Sequence, residues 1–172
     1  MGEAKSSQAG RKTGPGRWAA VLCSLALGMI LVLPLRAQER TGPRPEDGPW
    51  AASQVMTIQQ LAEQLKQGEK PAILQVGFHV LYEAAHIPGS VYCGPASRRE
   101  GIEALRQAAS KLPRDREVVL YCGCCPWQKC PNIRPAFDAL KGMGFKSLKV
   151  LYVPDSFARD WVQQHLPSSQ VK

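Results

Sequence analysis

Apolar positions along the chain recur at two different spacings, and the alternation between them predicts strands and helices in turn. Short, nearly unbroken apolar runs stand at Ala72–Val76, at SVYC ending in Cys93, at Val118–Tyr121 and at Leu148–Tyr152. All four read as strands, and Ala72–Val76 is the kind of run that a strand buried on both faces produces. Between them the spacing becomes helical. Ile58, Leu61, Ala62 and Leu65 follow a Thr57/Gln60 capping box, and Gly68 with Pro71 stops that helix. Ile102, Leu105, Ala109 and Leu112 form the stripe of a second helix, for which Ser97 and Glu100 make a capping box. Ile133, Phe137 and Leu140 mark a third, with Asn132 as its N-cap, because that start puts Pro135 in the first turn where its missing N–H is not needed. Gly144 is the expected left-handed C′ residue, with Phe145 packing back on Leu140. Asp155 is expected to cap a last helix that buries Phe157, Trp161 and Val162. Tyr82 to Gly89 reads as a turn-rich stretch, and the tail Ser168 to Lys172 as frayed.

Strands alternating with helices call for an α/β fold with a mostly parallel sheet flanked by helices. In such sheets ligands gather at the carboxyl ends of the strands. Gly77, Cys93 and Cys122 each follow a strand, so they are expected to share one edge.

The ends of the chain read differently. Residues 1–37 combine a basic, Gly/Ser-rich start with an apolar stretch from Trp18 to Leu35, the pattern of a signal peptide or an N-terminal membrane anchor. Leu35 at −3 is a poor match for cleavage after Ala37, and the stretch just reaches the lower limit of a membrane span. Export, to a periplasm or outside the cell, is therefore expected, with possible membrane attachment through this segment. Residues 38–54, rich in Pro, Gly and charge, read as a flexible linker; residues 55–167 form a single domain and 168–172 a tail.

Charge changes little. The net charge of +8 contains five basic residues against Glu3 within the first 37 positions, and the remaining charges are scattered. No basic stripe interleaved with aromatics is present, so nucleic acid is not an expected partner.

The chemistry lies in cysteines. Of six, Cys23 sits in the apolar leader as filler, and four of the other five (Cys93, Cys122, Cys124, Cys125, Cys130) crowd into Val118–Arg134, VVLYCGCCPWQKCPNIR. A strand that ends in a cysteine facing a helix N-terminus favours a thiolate, because free backbone N–H groups and the helix dipole stabilise the anion.

From Val55 to Pro167 the chain resembles the rhodanese-like sulfurtransferases. The resemblance is carried by YEAAHIPGSVY (Tyr82 to Tyr92), EVVLYC (Glu117 to Cys122), GMGF (Gly142 to Phe145) and a last helix with Phe157, Trp161 and Leu166–Pro167. It implies the three-layer rhodanese fold, with Cys122 as a nucleophile that takes a sulfane sulfur from a donor such as thiosulfate, forms a persulfide and passes the sulfur to a thiol or other acceptor. The active-site loop would be Gly123, Cys124, Cys125, Pro126, Trp127, Gln128, Lys129 and Cys130. Asn132 and Arg134 would bind substrate, Arg134 holding an anionic donor. A small sulfur donor and a thiol acceptor are the expected partners, with no cofactor and no resident metal.

The chain also departs from that family. Gln75 and Gly77 stand where an acidic residue and an arginine are usual in the first core strand, and the loop after Cys122 is elongated. Gln128 excludes the C-x5-R loop of phosphatases and arsenate reductases of the same fold. The additional thiols admit three readings. They are ligands for a soft ion such as Cu(I) or zinc, without the usual paired C-x2-C spacing. Or Cys93, Cys124, Cys125 or Cys130 resolves an oxidised or persulfidated Cys122. Or a Cys122–Cys130 or Cys124–Cys130 disulfide pins the loop. The alternative to an enzyme is a non-catalytic thiol-redox or metal-binding module that presents the Cys122/Cys124/Cys125/Cys130 cluster to a partner. His86 reads as a hydrogen-bonded turn residue, His79 lies in a loop near the sheet edge, and Trp127 is either a lid or a cover over the cysteines.

Overall fold

The computed structural model describes residues 48–171. The expected leader (1–37) and most of the expected linker (38–47) lie outside the described residues. Among the described residues no helix is long and apolar enough to cross a membrane.

Five parallel strands form one sheet: β1 (Val55–Met56), β2 (Ala72–Gln75), β3 (Val91–Tyr92), β4 (Val118–Tyr121) and β5 (Leu148–Leu151), in the order β1-β5-β4-β2-β3. The unbroken apolar run of β4 is explained by its central place, with all four residues buried. Its side chains alternate between two cores. Val118 and Leu120 join Leu105 and Ala109 of α3 (Arg99–Ser110) and Phe137 and Leu140 of α4 (Ile133–Gly142). Val119 and Tyr121 join Leu61 of α1 (Ile58–Lys66), together with Phe157 and Trp161 at α5 (Phe157–Asp160). Full burial of a side chain such as Leu120 stabilises the fold by about 2 kcal/mol. Helices thus cover both faces, giving the three layers.

Several local signals act as expected. Thr57 and Gln60 form the capping box of α1, each side chain bonding the other residue's backbone N–H at 3.2 and 2.8 Å. Gly144 has φ +86°, and the Phe145 N–H reaches the Leu140 carbonyl while the Gly144 N–H reaches that of Lys141. That pair of bonds is the Schellman arrangement.

Others differ. His79–Ala84 form a short helix, α2, inside what reads as loop and turn. Phe78, Val80 and Leu81 are exposed there, so no buried stripe betrays it in the sequence. The Ser97/Glu100 capping box does not form. Arg98 is the N-cap of α3, because the Arg98 N–H closes a turn onto the Pro95 carbonyl and the Ser97 N–H is taken by Asn132. Ser156, not Asp155, caps α5 by accepting from the Arg159 N–H, while Asp155 pairs with the Arg159 guanidinium. Val162 is 36% exposed, since the chain leaves α-geometry at Trp161 and enters a 3-10 turn, Val162–Gln164.

Both ends of the domain are more ordered than their composition suggests. Within the segment expected to be linker, Trp50 packs edge-on against Phe137 at 4.9 Å, and Ala52–Gln54 form a 3-10 turn leading into β1, a strand too short to show in the pattern. The tail is not frayed: Ser169 exchanges two backbone hydrogen bonds with His86, and the Val171 N–H reaches the Glu83 carbonyl. His86 is a bonded turn residue as expected. Its Nδ1 lies 2.8 Å from the Tyr82 carbonyl, and its ring stacks on Tyr82.

Candidate active site

The carboxyl ends of β2, β3 and β4 meet at one edge of the sheet. Gln75 pairs with Tyr92 on one side and Tyr121 on the other, so Gly77, Cys93 and Cys122 emerge together. Cys122 is 4% exposed. Gln75, a polar residue 2% exposed in an apolar strand, braces it from below. Its Nε2 donates to the Cys122 carbonyl at 3.3 Å, and its Oε1 accepts the Gly77 N–H at 3.2 Å. A Cβ on Gly77 would stand 2.7 Å from the Gln75 Nε2 and 3.3 Å from the Cys122 Sγ, so only glycine lets β2 run this close to the thiol. The sequence signal for this pair is the lone Gln inside the run AILQV, read there only as a departure from the family's usual residues.

After Cys122 the chain turns through Gly123 at φ +72°. Two backbone bonds anchor the loop to the segment after β5: Phe157 N–H to the Gly123 carbonyl, and Trp127 N–H to the Pro154 carbonyl, both 3.1 Å. Trp127 opens a 3-10 turn, Trp127–Lys129, and is buried edge-on against Tyr152. It is a structural plug of the loop, and Pro126, Gln128 and Lys129 form the loop's exposed rim.

This folding gathers four thiols. The sulfurs of Cys122, Cys124, Cys125 and Cys130 all lie within 4.8 Å of one another. Cys122 Sγ is 3.0 Å from Cys124 Sγ, which is 3.4 Å from Cys125 Sγ. All five cysteines among the described residues are free. The expected Cys122–Cys130 or Cys124–Cys130 bridge is therefore not present; the loop is held instead by its backbone anchors and Trp127. Cys93 shares the sheet edge but is not in the cluster. It is buried, its Sγ faces the Val91 carbonyl, and burial pushes its thiol up to about 12. A resolving role falls more naturally to Cys124, Cys125 and Cys130.

Asn132 occupies the N-cap position of α4 but does not cap it. The side chain, 1% exposed, turns into the cluster. Its Nδ2 donates to Cys122 Sγ at 3.3 Å and approaches Cys124 Sγ at 3.8 Å, while its Oδ1 accepts the Ser97 N–H at 2.9 Å. The backbone N–H groups of Asn132 and Ile133 act to lower the Cys130 thiol, against the contacts that raise it. Arg134, in the first turn of α4, lies over the Trp50 ring at 4.0 Å and donates to the Pro49 carbonyl, so the chain preceding β1 engages the guanidinium expected to hold a donor anion.

The four thiols perturb one another's ionisation. Hydrogen bonds from Cys122, Cys130 and Cys125 hold Cys124 well below the usual thiol range against the cost of burial. Cys122 is raised, first by donating to Cys124, then by contact with Cys130 and by burial, with the Asn132 amide opposing. Burial foremost, and then Cys124, raise Cys125. For Cys130 the contact with Cys122 favours the anion, but Cys124 and burial leave it raised. The contacts thus favour an anion on Cys124 over one on Cys122, Cys125 or Cys130.

A family model for the rhodanese-like domain matches residues 57–152. The chain belongs to the rhodanese-like family. Solved structures agree on the rhodanese-like fold. The Alr3790 protein of Anabaena sp. superposes with a TM-score of 0.52 at 20% identity, over 67% of this chain and 82% of that one. The BH2092 protein of Bacillus halodurans gives 0.54 at 19% identity, over 69% and 77%. A thiosulfate sulfurtransferase of Pseudomonas aeruginosa is similar at 16% identity and TM-score 0.49, over 69% of this chain and 21% of that longer one. No curated protein sequence matches the chain. Within the rhodanese-like fold, Cys122 stands directly after the central strand and leads into the loop that departs from the family pattern.

Proposed function

We propose that this rhodanese-like protein is a sulfurtransferase that carries a sulfane sulfur on Cys122. The observation that carries the reading is the position of Cys122 at the end of the central strand, with the Asn132 amide on its sulfur and Cys124 3.0 Å away. Cys124, 3.0 Å away, accepts the Cys122 proton as general base while the Cys122 sulfur attacks, so that the Cys122 thiolate forms only in the reaction itself. The Cys122 sulfur attacks the sulfane sulfur of thiosulfate. The sulfur–sulfur bond of the donor breaks and sulfite leaves with its electron pair, giving the Cys122 persulfide. An acceptor thiolate then attacks the outer sulfur and leaves as a persulfide, returning Cys122 as thiolate. Asn132 and the N-terminus of α4 stabilise negative charge on the Cys122 sulfur when it is the attacking or the departing thiolate. As part of the same proposal, residues 1–37 direct export or anchor the domain, and cell fractionation tests that.

The full chain, reduced and metal-free, should transfer sulfur from thiosulfate to cyanide or to a small thiol and should be isolable one sulfur atom heavier. Cys122→Ser should abolish both. Cys124→Ser should keep the persulfide but slow its formation. Transfer by Cys122→Ser at the wild-type rate would remove the assignment. A wild-type chain with no transfer at all would favour the second reading, a module that presents its thiols to a partner, which the four-sulfur cluster also accommodates.

A further inference from the structure

We propose that Cys122, Cys124, Cys125 and Cys130 together bind one zinc(II) ion as a closed four-thiolate site, and that occupancy of this site withdraws Cys122 from sulfur chemistry. The zinc site goes beyond the sulfurtransferase reading and does not depend on it, whereas the withdrawal of Cys122 rests on that reading.

Three observations carry it. The first is convergence. In a tetrahedral site with zinc–sulfur bonds near ~2.3 Å, sulfurs stand roughly 3.8 Å apart. The four sulfurs here all lie within 4.8 Å of one another, with neighbours at 3.0 and 3.4 Å. The sulfurs therefore bracket the tetrahedral spacing, the two closest pairs having to open by less than about 1 Å. The C-x-C-C-x4-C spacing lacks the C-x2-C pairs of common zinc sites, yet the turn at Gly123 brings the sulfurs of Cys122 and Cys124 together, and the 3-10 turn returns Cys130.

The second is the surrounding shell. Four thiolates on a divalent ion leave two negative charges, which need hydrogen-bond donors. Asn132 Nδ2 reaches Cys122 and approaches Cys124, at the start of a ten-residue helix. Asn132 is itself fixed by the Ser97 N–H, which orients its amide donor toward the sulfurs. The third is access with rigidity. Cys124, Cys125 and Cys130 are half-buried at the surface of the loop while Cys122 is the inner ligand, and Trp127 with the two backbone anchors holds the loop in place. An all-sulfur donor set excludes magnesium and calcium and suits zinc.

Each thiol that ligates gives up its proton to solvent, so binding is pH-dependent and no redox change is involved. With all four positions taken by protein sulfurs there is no open coordination site for catalysis. The ion masks the nucleophile.

The test uses the full chain, reduced and stripped of metal without oxygen. Co(II) should produce thiolate-to-cobalt charge transfer and the intense d–d bands of tetrahedral coordination, saturating at one ion per chain, and zinc(II) should displace it. Zinc should shield four thiols from a thiol reagent and suppress sulfur transfer. Asn132→Leu should weaken binding by roughly 10–100-fold, as loss of an outer-shell donor does. Cys124→Ser and Cys130→Ser should weaken it further, with circular dichroism confirming that each variant folds. Absence of the charge-transfer band at one equivalent, wild-type affinity in the cysteine variants, or uptake of Cu(I) but not zinc would overturn the proposal. A metal-free chain that transfers no sulfur but still titrates with one zinc would sink the sulfurtransferase reading, and the withdrawal of Cys122 with it, and leave the zinc site standing.

Discussion

Replacing Gly123 by Ala tests whether the loop geometry around Cys122 is set by its backbone. Gly123 sits at φ +72°, and a Cβ there would meet the Phe157 Cβ at 2.5 Å. Two costs follow. The left-handed conformation costs an alanine roughly 1–2 kcal/mol. The collision is with an atom next to the Phe157 backbone and not with the end of a flexible side chain, so the start of α5 must shift. Overpacking of that kind costs about 1–3 kcal/mol, and the shift strains the Phe157 N–H bond to the Gly123 carbonyl. Gly144→Ala separates the two, because Gly144 has φ +86° with nothing within 4 Å of the added Cβ and should show the conformational cost alone. Urea unfolding of both variants gives the comparison. Gly123→Ala should be destabilised by on the order of 3 kcal/mol and Gly144→Ala by about half of that. The displaced loop should also slow sulfur transfer in Gly123→Ala and leave it unaffected in Gly144→Ala. Equal unfolding midpoints for the two variants would refute the reasoning.

Other perturbations address the braces of the site and its buried acids. Gln75→Leu leaves the Cys122 carbonyl and the Gly77 N–H without their partner, which should cost about 2–4 kcal/mol in urea unfolding and lower the sulfur-transfer rate. Asn132→Asp keeps an acceptor for the Ser97 N–H but turns an oxygen toward Cys122; alkylation of the metal-free chain by iodoacetamide should slow at least ~10-fold, with a smaller loss of stability than Asn132→Leu, which also removes the Ser97 bond. Burial raises Cys93 from 9.0 to about 12 and, partly offset by bonds with Ser90 and the Ile87 N–H, Tyr121 from 10.0 to about 12. The folded state holds these protons more tightly, so their contribution is complete below pH 9 and is lost as pH rises toward 12. The slope should approach ~1.4 kcal/mol per pH unit per group, and Cys93→Ala should flatten its first part.

The amino-acid pattern by itself determined the strand runs, the alternation of elements and the family. These rest on local physics: the apolar runs of the inner strands β2 and β4 are buried on both faces, the Thr57/Gln60 box and the Gly144 turn satisfy backbone groups within a few residues, and Cys122 inherits its place from the end of a strand, while Val91 of the edge strand β3 stays 47% exposed. It missed α2, whose apolar side chains face outward, and the tail, whose bonds are to His86 and Glu83 far away in sequence. The site divides along the same line. That Cys122 ends a strand and that Asn132 opens a helix can be read locally. That Asn132 abandons capping to bridge Ser97 and two sulfurs, that Gln75 braces the Cys122 carbonyl, and that Pro49 and Trp50 engage Arg134 cannot, because each is a choice among hydrogen-bond or stacking partners made only when distant segments meet. The cysteines show the limit best. Their spacing left ligand, relay and disulfide open, with the missing C-x2-C pair counting against a metal, and tertiary structure brought four sulfurs within 4.8 Å while leaving Cys93 outside the group.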